Sequence, residues 1–573
     1  MVRDPVHDYV EVPGELAALV GSPAVQRLRG ISQNALARVR YPALTGSRYE
    51  HALGTMHLAM LAWHGAWARC DEVLRGRFAR QVVADLRGEM QAGRPVDAAT
   101  ARWLAPRQGD DDDPAAWPDF ARVVGLAVGA IGLLHDVGHP PFSHKLEEFW
   151  GSIADNLDDG GSAVRRPAQQ FHEWAGERIV TSLPDSCFPH LPRLLVQRVL
   201  SARTGDDWAH CLHSIVDGQF DVDRLDYLMR DGLGAGTELG RIDWRRLVDS
   251  LELHQVTLGW RIGLGARAIS AFETMLMQRA QHYRWVVHHQ AAVAADACLA
   301  RCVEGVHDLA TAELAESSSA ATAALLELRH ATPDLDYLTA AVCGDLTAGV
   351  CRDDAACLTW LRTARSPLLR LAEVGAPDVR ARARLLVRLH DVCDGLTVEP
   401  VPAWRNYQEF LARAEQNQDA VATLVSSAPA PRTPDYLSSD ATREAVRMLL
   451  GDLPARLNSA LDHLLAGPAG REVERRLTAQ VPWIEGCGEG FWLIEPVSFL
   501  AVREEFATVW RGDDEALLSA VSPFPFALTA IEVMRPRYFV YFVPYGPVPD
   551  GSEKHARRAI GRAFFEGLAG QPA

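Results

Sequence analysis

Apolar residues return every three or four positions along most of this chain. The clearest cases are residues 120–134 and 268–300, where the spacing is that of one buried face of a helix. The same spacing is found in residues 58–68, 82–91, 192–200 and 303–426. The pattern therefore predicts a mainly α-helical protein.

The pattern changes towards the C-terminus. Residues 427–434 (SAPAPRTP) are small and proline-rich, which is typical of a linker. Residues 527–534 and 538–543 are β-branched and aromatic and are predicted as two strands, with a turn at Arg535-Pro536. Residues 553–565 return to helical spacing, so we expect a small α+β lobe here.

The length of the chain requires more than one lobe. It has 573 residues, of which 48% are hydrophobic, enough for two or three cores. We expect a helical core over residues 1–300, a helical extension over 301–426 and the α+β lobe over 435–573. The polar, acidic residues 109–118 and 158–167 are predicted as exposed loops.

Charge and cysteine usage narrow the classes of partner. The net charge of −16 disfavours binding to nucleic acids and anionic membranes. Nearly all cations are arginines, a bidentate phosphate ligand, although compositional bias explains most of them. The ten cysteines include no CxxC pair, and no apolar run is long enough to span a bilayer. The N-terminus does not resemble a signal peptide, so a reduced, cytoplasmic location is expected.

The strongest chemical signal lies at the end of one predicted helix. His135 and Asp136 stand together in IGLLHDVGHPPFSH, and imidazole and carboxylate are both ligands of divalent metals. A His-Asp dipeptide occurs four times in the chain, and a surface or capping pair explains a lone one. Only this copy is followed by His139, His144 and a Gly-Pro-rich break, which favours a site.

Two further segments supply matching residues. His51 lies in RYEHALG at the start of a predicted helix. In DVDRLDYLMRD, Asp223, Tyr227 and Asp231 are spaced i, i+4, i+8 and share one helix face. The alternative for this helix is a solvated surface with Asp226 and Arg230 as an ion pair.

Together these segments provide two imidazoles and two carboxylates. That set is enough to hold one divalent ion, with Mn, Fe or Mg expected and Zn or Ni as alternatives. The candidate metal ligands are His51, His135, Asp136 and Asp223.

The ordered motifs resemble a known family. DPVHDYVEV, QRLRGISQ, RYEHALG, HDVGHPPFSH and DVDRLDYLMRD are similar to motifs of the HD-domain deoxynucleoside triphosphate triphosphohydrolases, which include the bacterial dGTPases. The resemblance covers about residues 1–300 and implies a helical HD core, here with an insertion at about 70–120. It implies water attack on the α-phosphorus of a deoxynucleoside triphosphate, which releases deoxynucleoside and inorganic triphosphate.

The same resemblance implies a role for each site residue. His139 would contact the α-phosphate, His144 would protonate the leaving 5′-oxygen, and His172-Glu173 would form a supporting or catalytic pair. The residues expected to bind phosphate are Arg48, Arg224 and Arg279, and those expected to bind the sugar are Gln33, Tyr227 and Asp231.

Departures from the family pattern lie near the expected base and activator sites. The family also has animal members, and the residues near their nucleoside are replaced here by Asn34, Val287 and Gln290. The base pocket is therefore expected to differ. Gly21 replaces an acidic residue that reads guanine at an activator site, which weakens the expectation of guanine-nucleotide activation in the same form.

Two other functions fit parts of the pattern. One is an HD phosphodiesterase or phosphatase acting on another nucleotide, and the other is a nucleotide-binding regulatory subunit with low turnover. For the favoured enzyme we expect a homo-oligomer and a gate, provided by an allosteric nucleotide, assembly or a regulatory protein partner. Balancing of dNTP pools and antiviral defence by precursor depletion both suit such an activity.

Overall fold

The computed structural model describes most of the chain. The described residues are 1–107, 113–155, 170–202, 205, 207–257, 259–312, 318–332, 352–393, 400–429, 452–497, 508–511, 514–522, 524–525, 527–528 and 535–570. The predicted loop 158–167 lies outside them, as do most of the predicted linker 427–434 and most of the predicted strand 527–534. Ala527 and Leu528, which are described, are helical.

The described part of the chain is mainly helical, which confirms the predicted fold class. The helices of the first 312 residues are Gly14–Val20, Pro23–Arg27, Arg48–Arg69, Glu72–Gln91, Ala98–Leu104, Phe120–Leu134, Glu147–Asp155, Phe171–Ser182, Arg193–Leu200, Trp208–His213, Val222–Gly234, Trp244–Val248, Ile269–His282 and Gln290–Thr311. The later helices are Ser319–Ala331, Asp354–Val374, Pro377–Cys393, Tyr407–Gln416, Gln418–Ser427, Leu453–Leu465, Pro468–Gln480, Leu518–Val521 and Glu553–Ala569.

Two long helices form the centre of the N-terminal half. Phe120–Leu134 is apolar on all sides and almost wholly buried, and it packs along Arg48–Arg69. A capping box between Ser47 and Glu50 starts the helix Arg48–Arg69, so His51 lies in the first turn of that helix. Because His135 follows the end of the first helix, their packing brings the two histidines together.

The strands of the described residues form three small sheets. The strands Val2–Asp4 and Asp8–Val10 form an antiparallel pair near the N-terminus. A second sheet has the order Leu251–Val256, Gly259–Gly265, Thr508–Arg511, Asp514–Leu517, with its two central strands parallel. A third, antiparallel sheet has the order Val401–Pro402, Tyr538–Pro544, Gly488–Pro496, Trp483–Ile484.

The small C-terminal lobe is confirmed as mixed α and β. The predicted strand 538–543 is found as Tyr538–Pro544, and the predicted helix 553–565 is found as Glu553–Ala569. The second sheet pairs a strand of this lobe with a strand of the N-terminal half. Among the helices that the structure describes, none is long and apolar enough to cross a membrane.

Candidate metal centre and active-site cavity

The four candidate metal ligands converge on one point. Nε2 of His51 lies 2.9 Å from an oxygen of Asp223 and 3.6 Å from an oxygen of Asp136. Nε2 of His135 lies 3.4 Å from the same Asp136 oxygen and 3.7 Å from the Asp223 oxygen. Three separate helices, which begin or end at these residues, therefore bring two imidazoles and two carboxylates together.

Hydrogen bonds on the far side of each imidazole set its orientation. Nδ1 of His51 donates to Asp226 at 2.8 Å, and Nδ1 of His135 donates to the carbonyl of Gly132 at 2.8 Å. Both Nε2 atoms are buried and have no hydrogen bond of normal geometry to any described residue. Such Nε2 atoms are the usual metal-binding atoms of histidine when Nδ1 is held in this way.

Asp226 lies at the base of the centre and was not predicted as a site residue. It is fully buried and also contacts His7 at 2.7 Å and Arg230 at 2.9 Å. Burial raises the pKa of its carboxyl, but Arg230, His51 and His7 outweigh this and hold the pKa well below its usual range. The Asp226–Arg230 pair of the alternative interpretation is present, but it is buried and not solvated.

The donor set fits a divalent cation. His51, His135 and Asp136 offer ligand atoms within 4.8 Å of one another. Mixed nitrogen and oxygen ligands with two carboxylates suit Mn, Fe, Zn or Ni, and Mg to a lesser degree. Arg48 forms a buried ion pair with Asp136, so one carboxylate of the set already has a cationic partner.

A second cluster lies next to the metal centre. Glu147 accepts a hydrogen bond from Nδ1 of His144 at 2.9 Å and from Nδ1 of His172 at 2.5 Å. His139 is fully buried, with Nε2 3.2 Å from Asp136 and Nδ1 3.5 Å from Glu147. The cluster therefore joins a solvent-exposed imidazole, that of His144, to the metal ligands.

The charges in this cluster are set by burial and by neighbours. Burial raises the pKa of Glu147, but bonds from His144 and His172 outweigh it and hold the pKa below its usual range. Burial, with the Arg48 guanidinium and His172, holds the pKa of His139 well below its usual range. An ionised carboxylate thus faces an imidazole that stays neutral.

The geometry of the second cluster disfavours its use as another ion site. The rings of His139 and His172 are stacked, with centroids 4.1 Å apart and an interplanar angle of 12°. With His144 and Glu147 they offer ligand atoms within 4.8 Å of one another, but Nδ1 of both stacked rings faces one Glu147 oxygen, which takes the position that an ion would need. The arrangement suits proton handling and substrate contact better.

Glu147 is a carboxylate bonded to Nδ1 of His172 that was not among the predicted site residues. The carboxylate of Glu173 closes a capping box with Gln170 at the start of its helix, although Glu173 also lines the cavity. His144 and Glu147 are three residues apart, a spacing that places two side chains next to each other on one helical turn. This spacing could have identified Glu147 as a partner of His144.

Two glycines of the quoted motifs allow these close approaches. A Cβ on Gly54, in RYEHALG, would lie 1.9 Å from an oxygen of Asp226. A Cβ on Gly138, in HDVGHPPFSH, would lie 2.0 Å from the carbonyl oxygen of His172. The glycines therefore let Asp226 reach His51 and let the helix of His172 abut the loop of His139.

One cavity of about 640 Å³ adjoins both clusters. It has the size of a site for a nucleotide-sized molecule. Its lining includes the predicted residues Gln33, Arg48, His135, Asp136, His144, His172, Glu173, Asp223, Arg224, Tyr227, Asp231 and Arg279. Of the predicted site residues, His51 and His139 are fully buried and do not line the cavity.

The predicted sugar and phosphate residues occupy different surroundings. Asp231 is buried, with an oxygen 3.4 Å from Nε2 of His282. Burial raises the pKa of Tyr227 well above its usual range, so its phenol stays protonated. Arg224 donates to the carbonyl oxygens of Gly218 and Gln219 at 2.9 and 3.0 Å.

The loop between His139 and His144 has an unusual backbone. Phe142 and Ser143 have φ angles of 59° and 55°, the left-handed region that L residues seldom adopt. Each such residue costs about 1–2 kcal/mol, so surrounding contacts must hold the turn. Oγ of Ser143 donates to the carbonyl of Ser32 at 2.7 Å and accepts from Nε of Arg48 at 2.7 Å.

Comparison with known proteins gives relatives for about half of the chain. No protein-family model matches it. An uncharacterized protein, MJ1154 of Methanocaldococcus jannaschii, is 26% identical over 305 residues, which cover 53% of this chain and 49% of that protein. The human deoxynucleoside triphosphate triphosphohydrolase SAMHD1 is 20% identical over 307 residues, 51% of this chain and 42% of the human protein. The chain thus spans about half the length of the curated relatives it matches.

A solved structure shares the fold over nearly the whole length. It is the crystal structure of a phosphohydrolase from Bacteroides thetaiotaomicron, with a TM-score of 0.50 and 19% identity, covering 95% of this chain and 99% of that one. This likeness shows the fold, and within that fold the H…HD…D residues converge. The sequence relatives confirm the predicted resemblance: the chain is related to the HD-domain deoxynucleoside triphosphate triphosphohydrolases.

Proposed function

We propose that this protein hydrolyses deoxynucleoside triphosphates to deoxynucleoside and inorganic triphosphate. The observation that carries the proposal is the single cavity that joins the metal centre, the His144–Glu147–His172 cluster and the residues expected to bind the sugar. The name of the human relative, a deoxynucleoside triphosphate triphosphohydrolase, supports the same reaction.

Each part of the cavity has a task in this reaction. His51, His135, Asp136 and Asp223 would hold a divalent ion. Such an ion activates water and polarises a phosphoryl oxygen. The neutral His139 is buried beside Asp136 and does not line the cavity, so it would act by supporting that ligand, and the contact with the α-phosphate that the resemblance implies stays a prediction.

His144 suits the role of general acid. Glu147 holds its Nδ1, so Nε2 is left for the leaving 5′-oxygen. The imidazole is 58% exposed, so it can regain a proton from solvent after each turnover. Arg48 would bind a phosphate oxygen next to the metal centre, with its Nε fixed by Ser143.

The sugar would be read by three side chains of the cavity. The amide of Gln33 is available to a ligand, since its buried Oε1 has no hydrogen-bond partner among the described residues, and its NH₂ group would donate to the oxygen of the 3′-hydroxyl. Asp231 would accept the proton of that hydroxyl. The ring of Tyr227 would occupy the space that a 2′-hydroxyl needs, which selects deoxyribose.

The test is product identity. The purified protein is incubated with Mn²⁺ or Mg²⁺ and the four dNTPs, in parallel with the four NTPs, and products are resolved by ion-pair chromatography. We expect deoxynucleoside and intact triphosphate from dNTPs and little product from NTPs. Release of orthophosphate, pyrophosphate or a monophosphate would instead identify a phosphatase or phosphodiesterase. No turnover by metal-loaded protein would favour a nucleotide-binding regulatory subunit.

We also propose that the activity is gated, because an unrestrained enzyme of this kind would drain the precursors of DNA synthesis. The gate would be an allosteric nucleotide, assembly of a homo-oligomer or a protein partner. The rate per protomer is measured against protein concentration and against each added nucleotide. A rate that is maximal and constant under all these conditions would exclude the first two gates.

A further inference from the structure

A carboxylate from the helical extension reaches the active-site loop. Asp354 is the first residue of the helix Asp354–Val374 and is buried. One of its oxygens accepts from the backbone N–H of Phe142 at 2.7 Å, and the other accepts from the backbone N–H of Ser32 at 3.0 Å. These partners precede it by 212 and 322 residues, so no local pattern could reveal the contact.

The N–H groups of Phe142 and Ser32 belong to two segments that a hydrogen-bond network connects. Ser143, next to Phe142, donates from Oγ to the carbonyl of Ser32 and accepts from Arg48. Arg48 in turn pairs with the candidate metal ligand Asp136. A continuous network therefore leads from Asp354 to the metal centre.

The contact does not serve the helix to which Asp354 belongs. The N-cap of that helix is Asp353, whose side chain accepts from the N–H of Ala356 at 2.9 Å. The helix is thus capped without Asp354. The Phe142 N–H, by contrast, lies in the left-handed turn, which needs an external partner to stay in place.

Arg27 forms a second connection between the residues before Asp354 and the loop after His135. Its guanidinium donates to the carbonyls of Val137 and His139 at 3.0 and 2.6 Å, and to the carbonyl of Arg352 at 3.0 Å. Arg27 therefore connects Arg352, two residues before Asp354, to the backbone on either side of Gly138. This geometry is expected of a support that fixes the loop.

We infer that Asp354 is a positioning residue for the active site: it holds the Phe142–Ser143 turn and the Ser32–Gln33 segment in register from the second half of the chain. Only the expected loss of kcat/KM rests on the proposed function, whereas the positioning of the two segments does not. Asp354 touches no reacting atom, and it acts through Ser143, Arg48 and the backbone that leads to Gln33.

The test compares Asp354→Asn with Asp353→Ala. Asn keeps the shape of Asp354 but turns an NH₂ group towards one of the two N–H donors, whereas Asp353→Ala removes the helix cap and leaves the loop contacts intact. We expect Asp354→Asn to lower kcat/KM at least about tenfold with the metal content unchanged. We expect Asp353→Ala to keep kcat/KM, although its melting temperature falls.

Deuterium uptake gives a readout that needs no substrate. Peptides that contain Ser32 and Phe142 should exchange faster in Asp354→Asn than in the unchanged protein or in Asp353→Ala. If the unchanged protein proves inactive on dNTPs, the proposed function fails and this uptake alone decides the inference. Unchanged uptake overturns it.

Two kinetic outcomes would also overturn the inference. One is a kcat/KM of Asp354→Asn within twofold of the unchanged protein, and the other is an equal loss in Asp353→Ala. If Asp354→Asn does not fold, Ser143→Ala is the alternative test, because it removes the hydroxyl that bonds both Ser32 and Arg48 in the same network. That variant should keep its metal and lose kcat/KM, and an unaffected Ser143→Ala would contradict the network.

Discussion

Nδ1 of His51 lies 2.8 Å from a carboxylate oxygen of Asp226, and both side chains are fully buried. The bond fixes the tautomer of His51, so its Nε2 carries the lone pair that a metal requires. Carboxylates in this position orient a ligand and raise its basicity. Asp226 therefore belongs to the metal centre although it is not one of the four ligands.

Replacing Asp226 should weaken metal binding. Asp226→Asn leaves the four ligands intact, and we expect about 10–100-fold lower affinity for Mn²⁺. The affinity is measured by titration of metal-free protein with calorimetric detection. Asp207→Asn, at a helix N-cap elsewhere, is the control and should bind metal normally. Normal affinity in Asp226→Asn would remove Asp226 from the centre.

Variants of the candidate metal ligands and of the candidate general acid should differ in how much metal they bind. Asp136→Ala or His135→Ala should lose both bound metal and turnover, because each removes a ligand atom. His144→Ala should keep its metal and lose about 10²–10⁴-fold in kcat, because it acts on the leaving group. Metal analysis by mass spectrometry and steady-state kinetics decide this. Equal metal loss in all three variants would contradict the assignment of roles.

The two glutamates near His172 offer a matched comparison. Glu147 bonds both His144 and His172, whereas the carboxylate of Glu173 closes the capping box of its helix. We expect Glu147→Gln to lower kcat by about 10²-fold or more, and Glu173→Gln to have a smaller effect. A larger loss in Glu173→Gln would restore the pairing predicted from the sequence.

Acid should weaken the fold partly through His288. Burial, with the nearby Arg535 guanidinium, holds the pKa of His288 well below its usual range, and Arg535 donates to its Nδ1 at 2.6 Å. The unfolded chain takes up this proton near pH 6.5 but the folded protein does not. Stability contributed by neutral His288 is therefore present above that pH and is lost as pH falls, by at most about 1.4 kcal/mol per pH unit.

A variant that keeps the acceptor but cannot titrate tests this effect. In His288→Asn, the amide oxygen can accept from Arg535 at any pH. The melting temperature should fall less between pH 7.5 and pH 5.5 in His288→Asn than in the unchanged protein. His555→Asn, at an exposed position, is the control and should leave the difference unchanged. An identical fall in His288→Asn would show that His288 does not contribute.

Local patterns were enough to predict the main helices and the face that Asp223, Tyr227 and Asp231 share. The helix Phe120–Leu134 has the predicted limits, and Asp223, Tyr227 and Asp231 line one cavity as their helical spacing required. These features depend on contacts within a few residues of each other. For such contacts, the order of apolar, charged and glycine residues is sufficient information.

Tertiary structure decided the contacts that support the site. Glu147 meets His172, Asp226 is buried behind His51, and Asp354 reaches the loop of Phe142 from another part of the chain. Likewise, the strand Tyr538–Pro544 pairs with Gly488–Pro496 and with Val401–Pro402. The sequence alone determined which residues could form helices and hold a metal. Only the packing of distant segments determined which carboxylate meets which histidine, because that choice depends on distances between parts of the chain that no local spacing encodes.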